Sequence, residues 1–286
     1  MEQPRRKSTP PIEHLYEERN FDQRVEALEL YPLSTIVREA LEAVDDRLFQ
    51  RLQTEIQAGL HQREGFKHLA YQYFDPISGE SGYDNLDIFI NRLFPFQDVP
   101  EPTKDLEPEM VYYQKTPARI VFELAGHLRA RGQVAEGHLG TGDHPETGSP
   151  PDVGDVFFDL GSGLGQVVIL VHLLTGIPSR GIEFEPAFCA YARDCADWLR
   201  LSEVTFLNTD ARDADYGEGT VFFLFTPFRG EMLKQVLALL QKEAVTRKIK
   251  VMTYGPCTEQ VAKEPWLQRQ TPLADDTYKL CVFLSI

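Results

Sequence analysis

The segment that most constrains this chain runs Val156-Phe-Phe-Asp-Leu-Gly-Ser-Gly-Leu-Gly-Gln-Val-Val168. An apolar strand ends in an acid, Asp159, and runs into Gly161, Gly163 and Gly165. A helix follows at once. Glycines at such a turn permit positive φ and let the backbone approach a bound ligand closely. The ligand then sits at the carboxyl edge of the strand, beside the N-terminus of the helix.

The rest of the C-terminal half repeats this alternation. Strands are predicted at 156–160, 180–185, 204–208, 220–225, 248–254 and 278–285, and helices near 166–174, 186–201 and 229–243. Short apolar runs between helical stretches imply a mostly parallel sheet covered on both faces, with the last run inserted as a final strand. The first 109 residues read differently. Val37, Leu41, Val44, Leu48, Leu52, Ile56 and Leu60 recur at three- and four-residue steps, the stripe of an amphipathic helix. Residues 1–11 are expected to be disordered. Residues 71–96 are aromatic and irregular before turning helical near 85–93, and 95–108 reads as a Pro-rich acidic connector. Thr116 is a predicted N-cap and Pro117 a predicted first helical residue, for a helix over 118–131 that Gly132 can close. Residues 132–154, which contain His138 and His144, read as a mobile surface loop rather than a metal site. The expected organisation is therefore a mainly helical region over 1–109, acting as lid or substrate cap, and a sheet domain over 110–286.

A dinucleotide fingerprint would place its third glycine at position 166, which is Gln166. The spacing Asp159-x-Gly161-x-Gly163-x-Gly165 instead resembles the first motif of class I S-adenosylmethionine-dependent methyltransferases. That resemblance implies a Rossmann-like α/β fold: a mostly parallel sheet of seven strands with an antiparallel last strand. It also implies a pocket for S-adenosylmethionine, with S-adenosylhomocysteine as product. Gly161, Ser162, Gly163, Gly165 and Gln166 would form the cofactor turn beside Asp159. Glu183, three residues before Pro186, would take the ribose hydroxyls. Asp210 would accept from the adenine amino group, with the Ala211 N–H donating; Asp213 and Asp215 stay open as alternatives to Asp210. Thr226 and Phe228, in Phe225-Thr-Pro-Phe228 after the fourth strand, would lie beside the reacting methyl group.

The string Asp159-Leu-Gly-Ser-Gly-Leu-Gly-Gln-Val-Val168 is similar to that of one branch, the disruptor-of-telomeric-silencing (non-SET) protein lysine methyltransferases, which have Val at the place of Leu164. That branch carries Tyr-x-Glu-Thr upstream, reaching over the cofactor. Here Tyr113-Gln-Lys-Thr116 agrees at Tyr113 and Thr116 and replaces the acid with Lys115. Its Asn-Asn-Phe segment is represented by Thr226-Pro-Phe228. The resemblance runs from about Met110 to Met232 and speaks for the cofactor more than for the substrate.

Composition narrows the partner. A net charge of −15 argues against binding a phosphate backbone and suits a basic peptide, a basic protein or a small amine. Cys189, Cys195, Cys257 and Cys281 form no C-x-x-C pair, so neither a zinc site nor any other metal is expected. The N-terminal stretch has no apolar run behind it, so neither a signal peptide nor a membrane span is expected, and the expected address is cytoplasmic.

The leading function is N-methylation of a protein or peptide side chain, with lysine the candidate acceptor. A neutral amine attacks unaided, and positioning and water exclusion do the rest. Tyr112, Tyr113, Phe228 and Tyr254 could wall the nucleophile channel, with Tyr113, Thr226 and Phe228 as positioning residues. His127 and His172 read as structural. Three alternatives stand beside it: a small-molecule methyltransferase with the N-terminal region as lid, a methyltransferase-like binding module without turnover, and, more weakly, a dinucleotide oxidoreductase.

Overall fold

A computed structural model describes residues 46–47, 49–59, 85–94, 99–128, 154–272 and 277–286. The expectations for 1–11, for Val37, Leu41, Val44, Leu48 and Leu60 of the first helix, for 71–84, for 129–131 and for the loop 132–153 lie outside the described residues. The chain divides into two compact units, Met1–Pro95 and Phe96–Ile286. Most of the stretch read as a connector falls within the second unit.

In the first unit, residues 49–57 form helix α1 and Asn85–Leu93 forms α2. Phe49 and Ile56 are buried, as are Leu86, Phe89, Ile90 and Leu93. The rings of Phe49 and Phe89 lie 5.5 Å apart, and Gln53 Nε2 donates to Leu93 O at 2.9 Å, pinning the end of α2. Of the predicted apolar stripe, Leu52 and Ile56 are described, and Ile56 is buried.

The second unit opens with α3 (Ala118–Gly126) and then alternates: β1 (Phe157–Leu160), α4 (Gln166–Thr175), β2 (Ser179–Glu183), α5 (Pro186–Trp198), β3 (Val204–Asn208), β4 (Val221–Leu224), α6 (Gly230–Thr246), β5 (Lys250–Thr253), α7 (Thr258–Val261), β6 (Leu267–Arg269) and β7 (Cys281–Ser285). The sheet order is β3-β2-β1-β4-β5-β7-β6. Strands β1 to β5 are mutually parallel, while β7 runs antiparallel to both β5 and β6. The final strand is inserted as expected. Strand β6 is an addition: three residues with no apolar period of their own, recruited by β7.

Burial explains why these residues form these strands. All four residues of β1 and of β4 are buried, the mark of central parallel strands covered on both faces. On one face Phe158, Leu160, Phe222, Leu224 and Val251 meet Leu233, Val236, Leu237 and Leu240 of α6. Each such side chain contributes about 1.5–3 kcal/mol relative to exposure. Helix α4 contacts β1, β2 and β3, and α3 packs on α4. The sequence Gln-Val-Val-Ile-Leu-Val-His-Leu-Leu-Thr is buried along nearly its whole length, as a helix between the sheet and α3 must be. His172 is held in place, its Nδ1 lying 2.9 Å from Ile177 O.

Chain order reverses between β1 and β4, since β2 and β3 lie to one side and β5 to the other. A crevice opens outside the carboxyl ends of strands at such a point.

Candidate functional site

The glycine turn sits at that crevice. Gly161, Gly163 and Gly165 all have positive φ, at 83°, 52° and 80°. Two close approaches also demand glycine. A Cβ on Gly161 would overlap the Pro227 side chain, and one on Gly163 would overlap the ring of Tyr113. The turn is therefore clamped between the end of β4 and the segment before α3.

Around it lies a cavity of about 630 Å³, within the usual range for small-molecule and cofactor sites. Its floor is Asp159, Gly161, Ser162 and Gln166; Glu183, Thr209 and Ala211 come from the ends of β2 and β3, and Phe225 to Phe228 from β4. Its roof is the stretch 99–114, with Tyr112, Tyr113 and Gln114, followed by Thr116.

Several polar groups here lack partners within the protein. Ser162 Oγ and Gln166 Oε1 are buried without a hydrogen bond, although Gln166 Nε2 reaches Thr116 O at 3.3 Å. Unpaired buried acceptors cost about 1–3 kcal/mol each and point to a ligand or to water. Asp159 is buried, and no hydrogen bond to its carboxylate is found among the described residues. Burial, and then the nearby charge of Glu183, push its pKa up to about 8. Glu183 is also raised, first by burial, against the hydrogen bonds it accepts from Glu185 N and Gly163 N, each at 2.7 Å.

Glu185 is committed elsewhere. It caps α5 by accepting from Ala187 N at 2.9 Å, and takes Thr103 Oγ1 at 2.7 Å and Lys104 N at 2.8 Å. Burial works against its charge, but these donors win and bring its pKa down to about 2.

Asp210 faces another group. Its carboxylate receives Arg212 Nε at 2.9 Å and an Arg212 Nη at 2.6 Å, and Arg212 also donates to Glu107 at 2.6 Å. Thr209 and Ala211 line the cavity; Asp210 does not. Thr226 has φ +42°, rare for a β-branched residue. Its Oγ1 accepts from Cys257 N at 3.1 Å and donates to Tyr254 O at 3.4 Å.

Of the sequence-predicted residues, Tyr113, Thr116, Asp159, Gly161, Ser162, Gln166, Glu183, Ala211, Thr226 and Phe228 meet at this cavity; Gly163 lies under Tyr113 and Gly165 packs against Phe206 and Ala192. Thr116 makes no cap: α3 starts at Ala118, Pro117 holds the cap position with ψ 134°, and no side chain bonds the helix end. Of the four proposed wall aromatics, Tyr112, Tyr113 and Phe228 line the cavity, whereas Tyr254 stands behind Phe225, ring to ring at 4.8 Å.

Sequence reasoning found Tyr112, Tyr113 and Thr116 but missed the anchors that hold the stretch before them. Glu109 accepts from Glu231 N at 3.0 Å and Met232 N at 2.7 Å, capping α6, and Val111 N donates to Pro227 O at 3.0 Å. Phe188 was missed as well; its ring meets that of Tyr113 at 5.6 Å.

Residues 152–218 match the model of the family described as histone methylation protein DOT1. That span holds β1 to β3, the glycine turn and Glu183. No curated protein matches the chain. Among solved structures, an RNA methyltransferase from Salinibacter ruber in complex with S-adenosyl-L-homocysteine is similar at 24% identity and a TM-score of 0.35, over 46% of this chain and 79% of its own. A putative methyltransferase from Escherichia coli gives 13% identity and 0.40, over 46% and 76%. An S-adenosylmethionine-dependent methyltransferase from Aquifex aeolicus gives 14% and 0.37, over 46% and 81%. The strand order itself carries the fold: the second unit is a Rossmann-like sheet of the class I methyltransferase kind. Its glycine-rich motif resembles that of the DOT1 family, and S-adenosylmethionine is the cofactor that goes with this fold and motif. Among the described residues no helix is long and apolar enough to cross a membrane.

Proposed function

We propose that the chain is an S-adenosylmethionine-dependent methyltransferase acting on a nitrogen of a protein or peptide side chain, with lysine the leading acceptor. The observation that carries this reading is the cradle at the sheet switch point. A glycine turn with no room for side chains adjoins Ser162 Oγ and Gln166 Oε1, both buried and unsatisfied, and the buried Asp159 carboxylate. These groups fit a ligand bearing hydroxyls, amines and positive charge. The match to the histone methylation family over the same residues supports a protein acceptor.

Asp159, Ser162 and Gln166 would hold the amino-acid end and Glu183 the ribose hydroxyls. Thr209 and Ala211 would flank the base. When bound, the cofactor supplies a sulfonium methyl carbon open to in-line attack. The chain's own part is to exclude water and set the approach. Tyr113 packs on the glycine turn, Phe225 and Phe228 give the cavity an apolar wall, and Thr226 fixes the turn between them. The amine attacks as its neutral form. With the cofactor bound, that lone pair would accept the methyl group, a neutral thioether would be left behind, and the amine's spare proton would pass to solvent. No side chain need serve as general base.

Titration calorimetry with S-adenosylhomocysteine should find one saturable site per chain. Radiolabelled methyl transfer to basic peptides should then show turnover. Absence of binding in folded protein would overturn the cofactor site. Binding without transfer to any protein, peptide or small amine would instead leave a binding module.

A further inference from the structure

The outer face of the roof differs from the surface around it. Val99, Leu106 and Tyr112 are among the large hydrophobic side chains exposed in the described residues, and all three line this cavity. Tyr112 is 83% exposed, while the neighbouring Tyr113 turns inward onto Gly163. Exposed apolar side chains gathered at the rim of a pocket mark an interaction site more often than chance exposure does.

This rim is fixed in place. Thr103 and Lys104 are bonded to Glu185 beyond β2, Glu107 to Arg212 beyond β3, and Glu109 to the start of α6 beyond β4. An irregular stretch held at three strand ends has already given up its freedom, so a partner laid on it pays little further ordering cost.

Its charge is equally defined. Of the cations near the rim, Lys104 Nζ lies 3.1 Å from Phe184 O and 4.1 Å from the centre of the Phe184 ring, Arg212 is held by Asp210 and Glu107, and Arg229 is exposed near Glu109. Glu101 and Asp105 are exposed and make no ion pair among the described residues, and Asp105 lines the cavity. With a net charge of −15 behind it, the rim presents a negative field.

We propose that this rim is the docking surface for the methyl acceptor, and that its occupant is an extended cationic peptide segment with an aliphatic or aromatic residue beside the basic side chain to be methylated. The inference rests on the methyltransferase reading and adds what selects the acceptor. The apolar residue covers Tyr112, Leu106 and Val99, and flanking basic residues meet Asp105 and Glu101. A nucleic acid would meet like charge, and a small neutral metabolite would leave the rim uncovered.

The test uses the full chain and two labelled probes, Gly-Arg-Leu-Lys-Leu-Arg-Gly and Gly-Arg-Ser-Lys-Ser-Arg-Gly, followed by fluorescence anisotropy with and without saturating S-adenosylhomocysteine. The leucine peptide should bind about tenfold tighter than the serine peptide, about 1.4 kcal/mol. Tyr112→Ala should abolish that preference, and Asp105→Asn should weaken both peptides alike. Circular dichroism and thermal melting matched to the parent report that both variants fold. Equal binding of the two peptides, a preference that survives Tyr112→Ala, or tighter binding of an RNA oligonucleotide would overturn the proposal. Peptide binding of the expected pattern without S-adenosylhomocysteine binding would sink the methyltransferase reading and keep the surface. The reverse result would sink the surface alone.

Discussion

The ring of Tyr113 packs directly on the backbone of Gly163, leaving no space for a Cβ between them. Sequence reasoning expects a side chain at 163 to intrude on the adenosyl site; the structure puts Tyr113 in its way first. Gly163→Ala must both hold φ near +52° and displace that ring. The left-handed backbone costs about 1–2 kcal/mol and the displacement about 1–3 kcal/mol. The variant should melt lower and lose at least about tenfold in S-adenosylhomocysteine affinity, or about 1.4 kcal/mol. Tyr113→Ala, which leaves the turn relaxed, should keep its melting temperature more nearly while losing affinity. Calorimetry beside thermal melts separates the two effects, and unaltered affinity in both variants would remove Tyr113 and Gly163 from the site.

If Asp159 meets the cofactor, binding should move a proton. Its folded pKa of about 8 stands above the ordinary 3.8, so the proton it keeps in the fold favours folding at low pH. That contribution is fully present below pH 3.8 and is lost as pH rises towards 8. The ligand-free protein should thus lose stability over this window, and Asp159→Asn should flatten the slope. A cationic ligand beside the carboxylate reverses the balance and expels the proton. Binding of S-adenosylmethionine at neutral pH should therefore release a proton, so that the calorimetric enthalpy differs between phosphate and Tris buffers. Identical enthalpies would show that Asp159 does not meet the cation.

What the sequence made legible follows from where its signals are local. Continuous apolar runs such as Val221–Leu224 and the Gly161–Gly165 turn declare themselves within a few residues, and the mostly parallel sheet followed from them. The roof did not. Its order comes from single side chains reaching distant partners, as when Thr103 meets Glu185 eighty-two positions on, and a Pro-rich acidic stretch gives no period by which to foresee that. Strand β6 has the same cause, since Leu267–Arg269 is a strand because β7 runs beside it. Asp210 was legible as an acid at the end of β3. Its engagement by Arg212 depends partly on Glu107, which only the fold brings near.

Glu185 should give the roof its own acid limit. Burial opposes its charge, and hydrogen bonds from Ala187 N, Thr103 and Lys104 N more than offset this, lowering the pKa to about 2. Because the folded pKa lies below the ordinary 4.5, the stabilisation is present above pH 4.5 and is lost as pH falls towards 2. Glu185→Gln keeps an acceptor oxygen and loses the charge, whereas Glu185→Ala also removes the α5 cap, worth about 0.5–2 kcal/mol. In both variants amides 101–108 should exchange hydrogen faster at pH 7, and Glu185→Ala should be the less stable. Unchanged exchange over that stretch would show that the roof is held by its other anchors alone.

Thr226 separates strain from positioning. A β-branched residue at φ +42° costs on the order of 1–3 kcal/mol, and the turn keeps it there through bonds to Cys257 N and Tyr254 O. Thr226→Gly relieves the strain and loses those bonds, two terms of similar size and opposite sign, so its stability should stay within about 1 kcal/mol of the parent. If the locked turn sets the approach of the acceptor, kcat should fall about tenfold or more in Thr226→Gly while cofactor affinity holds, and Thr226→Ser, which keeps the oxygen, should recover much of the loss. A kcat unaltered in Thr226→Gly, measured with a verified acceptor, would mean that the turn shapes the wall of the cavity without governing transfer.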